Sequence, residues 1–236
     1  MKILKWFAVA AGLVAICLVS GAPVFADATG SFNVANCAGG GVSLSETSIT
    51  WQPSGTLAGT GCINTGTGTS LTYSGGLLGP GATGNIQNVT AGTLPIDQFM
   101  TFQGTTLDFV LTFLGPGSSN TNCSSLSFGQ SCSIVAGSPF VLTDLGSSTI
   151  IGFSAGGTIT DGGTSDWSGA FSTQTTGTAL QIQNAILGGG TVTSTQSGQF
   201  SVQDVTLIPA PEPSSLLLLA FGLCSSAGLI RRKRLA

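Results

Sequence analysis

Between Asp27 and Ile208 the chain contains no Lys, no Arg and no His. The eight carboxylates of that stretch, Asp27, Glu46, Asp97, Asp108, Asp144, Asp161, Asp166 and Asp204, therefore have no side-chain cation to pair with. A fold built from this segment must be held by apolar burial, backbone hydrogen bonds and covalent cross-links, because ion pairs are not open to it. All six basic residues stand outside it: Lys2 and Lys5 near the start, Arg231, Arg232, Lys233 and Arg234 near the end. The whole-chain net charge of −3 thus understates how anionic the central segment is. Phosphate binding draws its affinity from Lys and Arg, so nucleic acid is excluded as a partner class and anionic lipid surfaces are disfavoured.

The missing side chains also restrict the chemistry. There is no Ser-His-Asp or Cys-His arrangement, no Schiff-base lysine, no histidine metal ligand and no arginine clamp. A two-carboxylate glycosidase survives, since it needs only two carboxyl groups about 5 to 10 Å apart. Asp161 and Asp166 are the nearest pair in sequence. The same loop, Asp161-Gly162-Gly163-Thr164-Ser165-Asp166, offers Ca²⁺ two carboxylates, hydroxyls and backbone carbonyls. It has neither EF-hand spacing nor a nonapeptide Ca²⁺ repeat, and a structural acidic turn explains it more simply. The expectation is a non-enzymatic chain with no cofactor, Ca²⁺ being the one ion with a candidate site.

Both ends read as targeting segments. Lys2 and Lys5 precede an apolar run from Trp6 to Val19, and Val24-Phe25-Ala26 supplies small residues for cleavage after Ala26 by signal peptidase. At the other end, Pro209-Ala210-Pro211-Glu212-Pro213 breaks any preceding element, because proline lacks a backbone donor and restricts its neighbour. An uncharged run from Ser214 to Ile230 follows, at the short end of the roughly 17 to 25 residues that span a bilayer. Arg231, Arg232, Lys233 and Arg234 close it and predict a cytoplasmic C-terminus. The domain plan is a signal peptide over 1–26, an exported domain over 27–208 and a tail over 209–236 with a transmembrane helix over 214–230.

This three-part tail resembles the PEP-CTERM sorting signal of bacterial exported proteins, in which Pro211, Glu212 and Pro213 match the naming motif. It departs where Ala210 replaces a frequent Val and where Leu235 and Ala236 follow the basic cluster. The resemblance covers the tail alone. It implies recognition by a membrane-embedded exosortase and delivery of the exported domain to the cell surface or the exopolysaccharide layer of a Gram-negative-type bacterium. By analogy with GPI tails, such a span is as compatible with a removable address as with an anchor.

Four cysteines fall in the exported segment, Cys37, Cys62, Cys123 and Cys132. An even number in an oxidising compartment reads as two disulfides, for which three pairings exist. Proximity favours Cys37 with Cys62 and Cys123 with Cys132. A zinc site is the alternative, but the C-x2-C spacing is missing.

Short apolar bursts recur through the segment, at period two in Val42 and Leu44, Ile49 and Trp51, Leu71 and Tyr73, and Phe200 and Val202, and as Phe99 then Phe102. The strongest is 105–114, where Leu107, Phe109, Leu111 and Phe113 share one face and predict a central strand. Pro139 to Leu142 and Thr149 to Phe153 predict two more. Asp161-Gly162-Gly163 predicts a primed-turn hairpin between 158–160 and 167–173. Ser168-Gly169-Ala170-Phe171 is echoed in Ser197-Gly198-Gln199-Phe200, as neighbouring strands of one sheet would be. The run 178–187 lacks Gly and Pro and places Ile182, Ala185 and Ile186 at helical spacing before Gly188-Gly189-Gly190. The predicted fold is a mainly β, antiparallel sandwich of jelly-roll or Ig-like type with one short helix.

Trp51, Tyr73 and Trp167 are candidates for stacking on sugar rings, and equally for the core. The functional expectation is an exported surface or matrix protein with a structural or interaction role. A carbohydrate-binding module is the alternative. The implied partners are signal peptidase, the exosortase, the membrane and exopolysaccharide. Asn88-Val89-Thr90 and Asn122-Cys123-Ser124 match the N-glycosylation pattern by chance composition. Since residues 27–208 contain no Lys or Arg, trypsin should leave this segment in one piece even after denaturation, while chymotrypsin should fragment it on the same gel.

Overall fold

The computed structural model describes residues 27–90 and 92–204. The signal peptide with Ala26, the motif Pro211, Glu212 and Pro213, the run 214–230 and the cluster Arg231, Arg232, Lys233 and Arg234 lie outside them. Among the described residues no helix is long and apolar enough to cross a membrane.

The described chain is mainly β with one helix. In chain order the strands are β1 Thr29–Asn36, β2 Gly41–Leu44, β3 Ser48–Gln52, β4 Thr60–Thr65, β5 Ser70–Tyr73, β6 Gly76–Leu78, β7 Thr83–Gln87 and β8 Val89–Thr90. They continue with β9 Ile96–Phe102, β10 Asp108–Leu114, β11 Ser131–Ser133, β12 Val141–Asp144, β13 Ser148–Thr160 and β14 Thr164–Thr176. Helix α1, Ala179–Leu187, precedes β15 Val192–Ser194 and β16 Ser197–Asp204.

The two-sheet sandwich expected from the alternation is not what the larger sheet forms. Its strands run β10-β9-β7-β4-β1-β16-β14-β13, and β10 pairs again with β13, which closes an antiparallel eight-stranded barrel. Two long strands make this possible by forking. One edge of β13 is covered by β14 along its whole length. Its other edge is shared, residues 149–152 pairing with β12 and 155–160 with β10. Strand β1 forks likewise, pairing with β5 through 29–31 and with β4 through 34–36. Turn spacing counts strands but carries no signal for a long-range pairing such as β10 with β13, so a barrel and a sandwich look alike in sequence. A smaller sheet, β15-β2-β3-β8, packs against the barrel through Trp51, whose ring lies 5.1 Å from that of Phe171.

The core is aromatic. Phe32 stacks on Phe200 at 4.8 Å and meets Phe109 edge-on at 5.1 Å, while Trp167 lies 5.6 Å from Phe200 and 6.1 Å from Phe109. Such edge and offset contacts place the positive ring edge against the negative face of the next ring. The Trp167 Nε1–H donates to the Val110 carbonyl at 3.0 Å, so the one polar atom of that side chain is satisfied on the closing strand. Closure also depends on Gly157: a Cβ there would overlap the Val110 carbonyl oxygen.

Glycine and aromatic residues alternate in register across the wall. In the antiparallel pairing of β14 with β16, Gly169 faces Phe200 and Phe171 faces Gly198, so the two echoed tetrapeptides place each ring over the other's glycine. A Cβ on either glycine would collide with the Phe200 ring.

Strand β10 departs from its predicted pattern at one residue. Leu107, Phe109 and Leu111 are buried, but Phe113 is 53% exposed. The ladder to β13 shifts register between Leu111 and Phe113, and the extra residue of such a bulge turns the following side chain to the other face.

Both disulfides form with the pairing that proximity favoured. Cys37–Cys62 ties the exit of β1 to β4, and Cys123–Cys132 closes the loop ahead of β11, each with Cα atoms 5.5 Å apart. Helix α1 begins at its expected place. Thr178 caps it, its hydroxyl accepting from Gln181 N while the Gln181 side chain accepts from Thr178 N. Asp144 Oδ1 accepts from Ala179 N at 3.0 Å, which sets a negative charge at the positive end of the helix. Ile182 and Ile186 are buried, Ala185 is exposed, and the two N–H groups of Gln183 Nε2 donate to the carbonyls of Thr121 and Ile134, with that of Ser133 within reach of the same nitrogen.

Candidate functional site

The outward face of the barrel wall formed by β1, β16, β14 and β13 carries an ordered set of small neutral side chains. Because side chains alternate along a strand, the residues between the buried aromatics all point to solvent. In register they make three rows across the strands: Ser31, Ser201, Ser168; Asn33, Gln199, Ala170, Ser154; and Ala35, Ser197, Ser172, Gly152. Ser31, Ala35, Ser168, Ala170, Ser172, Ser197, Gln199 and Ser201 are exposed.

Row heights differ, and this creates relief. The row of Ala35, Ser197 and Ser172 is low, whereas Asn33 and Gln199 stand on one side of it and Gln174 and Thr195 on the other. Three adjoining shallow concavities result, of about 500, 430 and 480 Å³. The first shares Ala35, Ser172 and Ser197 with the second, and Asn33 and Gln199 with the third, so they form one trough across the strands. Its lining is mostly hydroxyl, carboxamide, methyl and exposed backbone, with no carboxylate; the buried Val34 and Phe200 and the half-buried Ile150 floor it.

Gln196 lines the second concavity, is 4% exposed, and has no hydrogen-bond partner for either its carboxamide nitrogen or its oxygen. Its main chain is held, since Gln196 N donates to Asn36 Oδ1 at 2.8 Å. A buried carboxamide without partners costs about 1–3 kcal/mol and calls for an explanation wherever it occurs. Sequence reasoning did not single out any residue of the trough. Its only trace is the small or polar residue before and after each echoed glycine, Ser168 and Ala170 in one tetrapeptide, Ser197 and Gln199 in the other.

The residues that sequence reasoning did single out lie elsewhere. Asp161 sits in a three-residue connection between Thr160 and Thr164 rather than a two-residue primed turn. It is 3% exposed, and its carboxylate accepts from Ser74 N, from Ser74 Oγ at 2.7 Å and from Thr106 Oγ1 at 2.7 Å. This buried anion therefore pins the β5–β6 turn and the approach to β10 to the β13–β14 hairpin through neutral donors. Asp166 points outward from β14. Among the described residues no three Cys, Asp or Glu side chains are grouped to hold a metal ion. Trp51 and Trp167 are each 2% exposed and Tyr73 is 8% exposed, so all three belong to the core and not to a sugar platform. Asn88 Oδ1 accepts from Trp51 N at 2.9 Å and Asn122 Oδ1 from Ser124 N at 2.9 Å, both local structural uses.

Comparison of the chain with family models, with curated proteins and with solved structures returned no match.

One carboxyl group is electrostatically out of balance. Burial raises the Asp108 carboxyl above its ordinary 3.8, and the nearby Asp97 charge adds to this, against a lowering hydrogen bond from the Gln98 backbone N–H. One Asp108 oxygen is buried without a partner. A carboxyl raised in the folded state adds stability below its ordinary value, and that contribution is lost as pH rises through the raised one. The Asp108→Asn variant should therefore melt higher than the parent at neutral pH, with the difference vanishing in thermal scans at pH values below 3.8. An equal or lower midpoint at neutral pH would show that the carboxylate is not under strain.

Proposed function

We propose that the chain is a non-enzymatic envelope or matrix protein whose exported barrel contacts a neutral, hydroxyl-rich polymer of the exopolysaccharide kind through the β1–β16–β14 trough. The observation that carries this reading is the trough itself, a hydrogen-bonding surface without formal charge. Hydroxyls and carboxamides can both donate and accept, which suits the mixed donors and acceptors of sugar hydroxyls. The flat, open shape suits an extended chain better than a small molecule enclosed on most sides. Two disulfides are in keeping with an oxidising compartment outside the cytoplasm. The use of Asp161 as a structural tie supports a role other than acid–base catalysis for that loop.

Delivery belongs to the same proposal. The exported domain reaches the surface by way of signal peptidase at Ala26 and an exosortase that reads Pro211, Glu212 and Pro213 together with the membrane span and Arg231, Arg232, Lys233 and Arg234. One fractionation experiment tests both halves. In cells with the exosortase, the chain should be recovered from the surface or matrix, and a double variant Asn33→Ala, Gln199→Ala should shift from the matrix into the medium. Cells lacking the exosortase should retain the chain in the inner membrane. Retention of an intact tail in that membrane in both strains would overturn the sorting reading. An unchanged matrix fraction for the double variant would overturn the trough.

A further inference from the structure

Among the described residues the most exposed large apolar side chain is Phe128, at 77%. It is not on a loose loop. Ser127 O accepts from Gln130 N at 2.9 Å, and Gly129, the third residue of this turn, has φ +82° while Phe128 keeps a negative φ. That is a type II turn, which asks for glycine at that position. Gln130 Oε1 accepts from Ser127 N at 3.0 Å and locks the turn a second time. Gly129 N donates to Asp144 O at 2.7 Å and Asp144 N donates to Gln130 O at 2.9 Å, which fastens the turn to β12. Leu126 packs on the core, and the Cys123–Cys132 disulfide shuts the loop behind it.

We infer that Phe128 is a preorganised aromatic platform that stacks on the C–H face of a pyranose ring, a second contact for the neutral polysaccharide of the proposed function, on which this inference rests. The loop 123–132 has no charged residue. Ser124, Ser125, Ser127 and Gln130 of the same loop are exposed, so the ring is presented from a segment whose other exposed side chains are hydroxyls and a carboxamide. A sugar has the complementary pattern, polarised C–H bonds in the middle and hydroxyls at the rim, and its C–H groups meet the negative face of the ring. A stable protein interface would need a broader footprint, about 800 Å² of surface per side, of which roughly half or more is apolar. The other exposed apolar residues stand on other segments, Leu57 between β3 and β4, Leu77 on β6, Phe113 on β10 and Leu187 on α1. Ordering of the turn before binding removes the entropy cost that a mobile aromatic would carry.

The test is native electrophoresis of the full chain through gels containing dextran, galactomannan or mixed-linkage β-glucan, with polymer-free gels as reference. At least one polymer should retard the parent chain. Phe128→Ala should weaken that retardation roughly tenfold in apparent Kd. Phe128→Trp should restore it and report binding through a new, solvent-exposed indole fluorescence. Retardation of the parent that is unchanged in Phe128→Ala would overturn the platform and leave the trough reading standing. No retardation of the parent by any polymer would overturn both. Loss of self-association in Phe128→Ala, with sugar binding intact, would assign the ring to a protein contact and also overturn the platform.

Discussion

Because no positive side chain exists between Asp27 and Ile208, each carboxylate that enters the fold has to be met by neutral donors, and cohesion has to come from buried apolar surface and complete backbone ladders. The structure follows this demand closely. Asp161 is held by the backbone N–H and hydroxyl of Ser74 and by the hydroxyl of Thr106, and Asp144 by the backbone N–H groups of Ala179 and Gly146. Asp108, which is partly buried with only one such donor and a like charge nearby, has its carboxyl pushed above the ordinary value. Closing the large sheet into a ring serves the same end, because it pairs backbone edges that an open sheet would leave exposed.

The ring in turn depends on where bulk is withheld. Gly157 lets β13 approach β10, and Gly169 and Gly198 leave room for the rings of Phe200 and Phe171 on neighbouring strands. Aromatic residues fill the interior from one side of each strand, so the other side is left with Ser, Ala, Asn and Gln. The neutral outer trough is therefore the reverse face of the aromatic core. A substitution that reshapes one is expected to be felt by the other through a shared strand.

Legibility in sequence tracked apolar periodicity. Strands β2, β3, β5, β13 and β16 announce themselves by alternating Val, Leu, Ile or aromatic residues, β9 by its clustered Phe99 and Phe102, and α1 by its run without Gly or Pro. Strands β4 and β7 do not, since TGCINT and TGNIQ carry a single large apolar residue each; β1 does carry Phe32 and Val34 at the period of β16, yet it is absent from the expected strands. All three are barrel staves, and without them the sheet looks like pieces of a sandwich. Phe113 misled by local pattern because a bulge is a property of two strands together. The trough was illegible for a different reason. It consists of residues that are individually ordinary on any solvated strand, and only the register of β1, β16 and β14 brings Asn33, Gln199, Ala35, Ser197 and Ser172 into one surface. Phe128 is one of thirteen phenylalanines, and only the Ser127–Gln130 turn distinguishes it from those that fill the core.

Closure of the barrel at β10 and β13 is the claim on which the core, the wall and the trough all rest. Hydrogen exchange on the full chain, resolved to single amides, measures it directly. The ladder amides of 108–111 and 157–160 should exchange as slowly as those of the central β13–β14 ladder, because both edges of each strand are paired. Exchange in 108–111 as fast as in the edge strand β15 would show an open sheet and contradict the account.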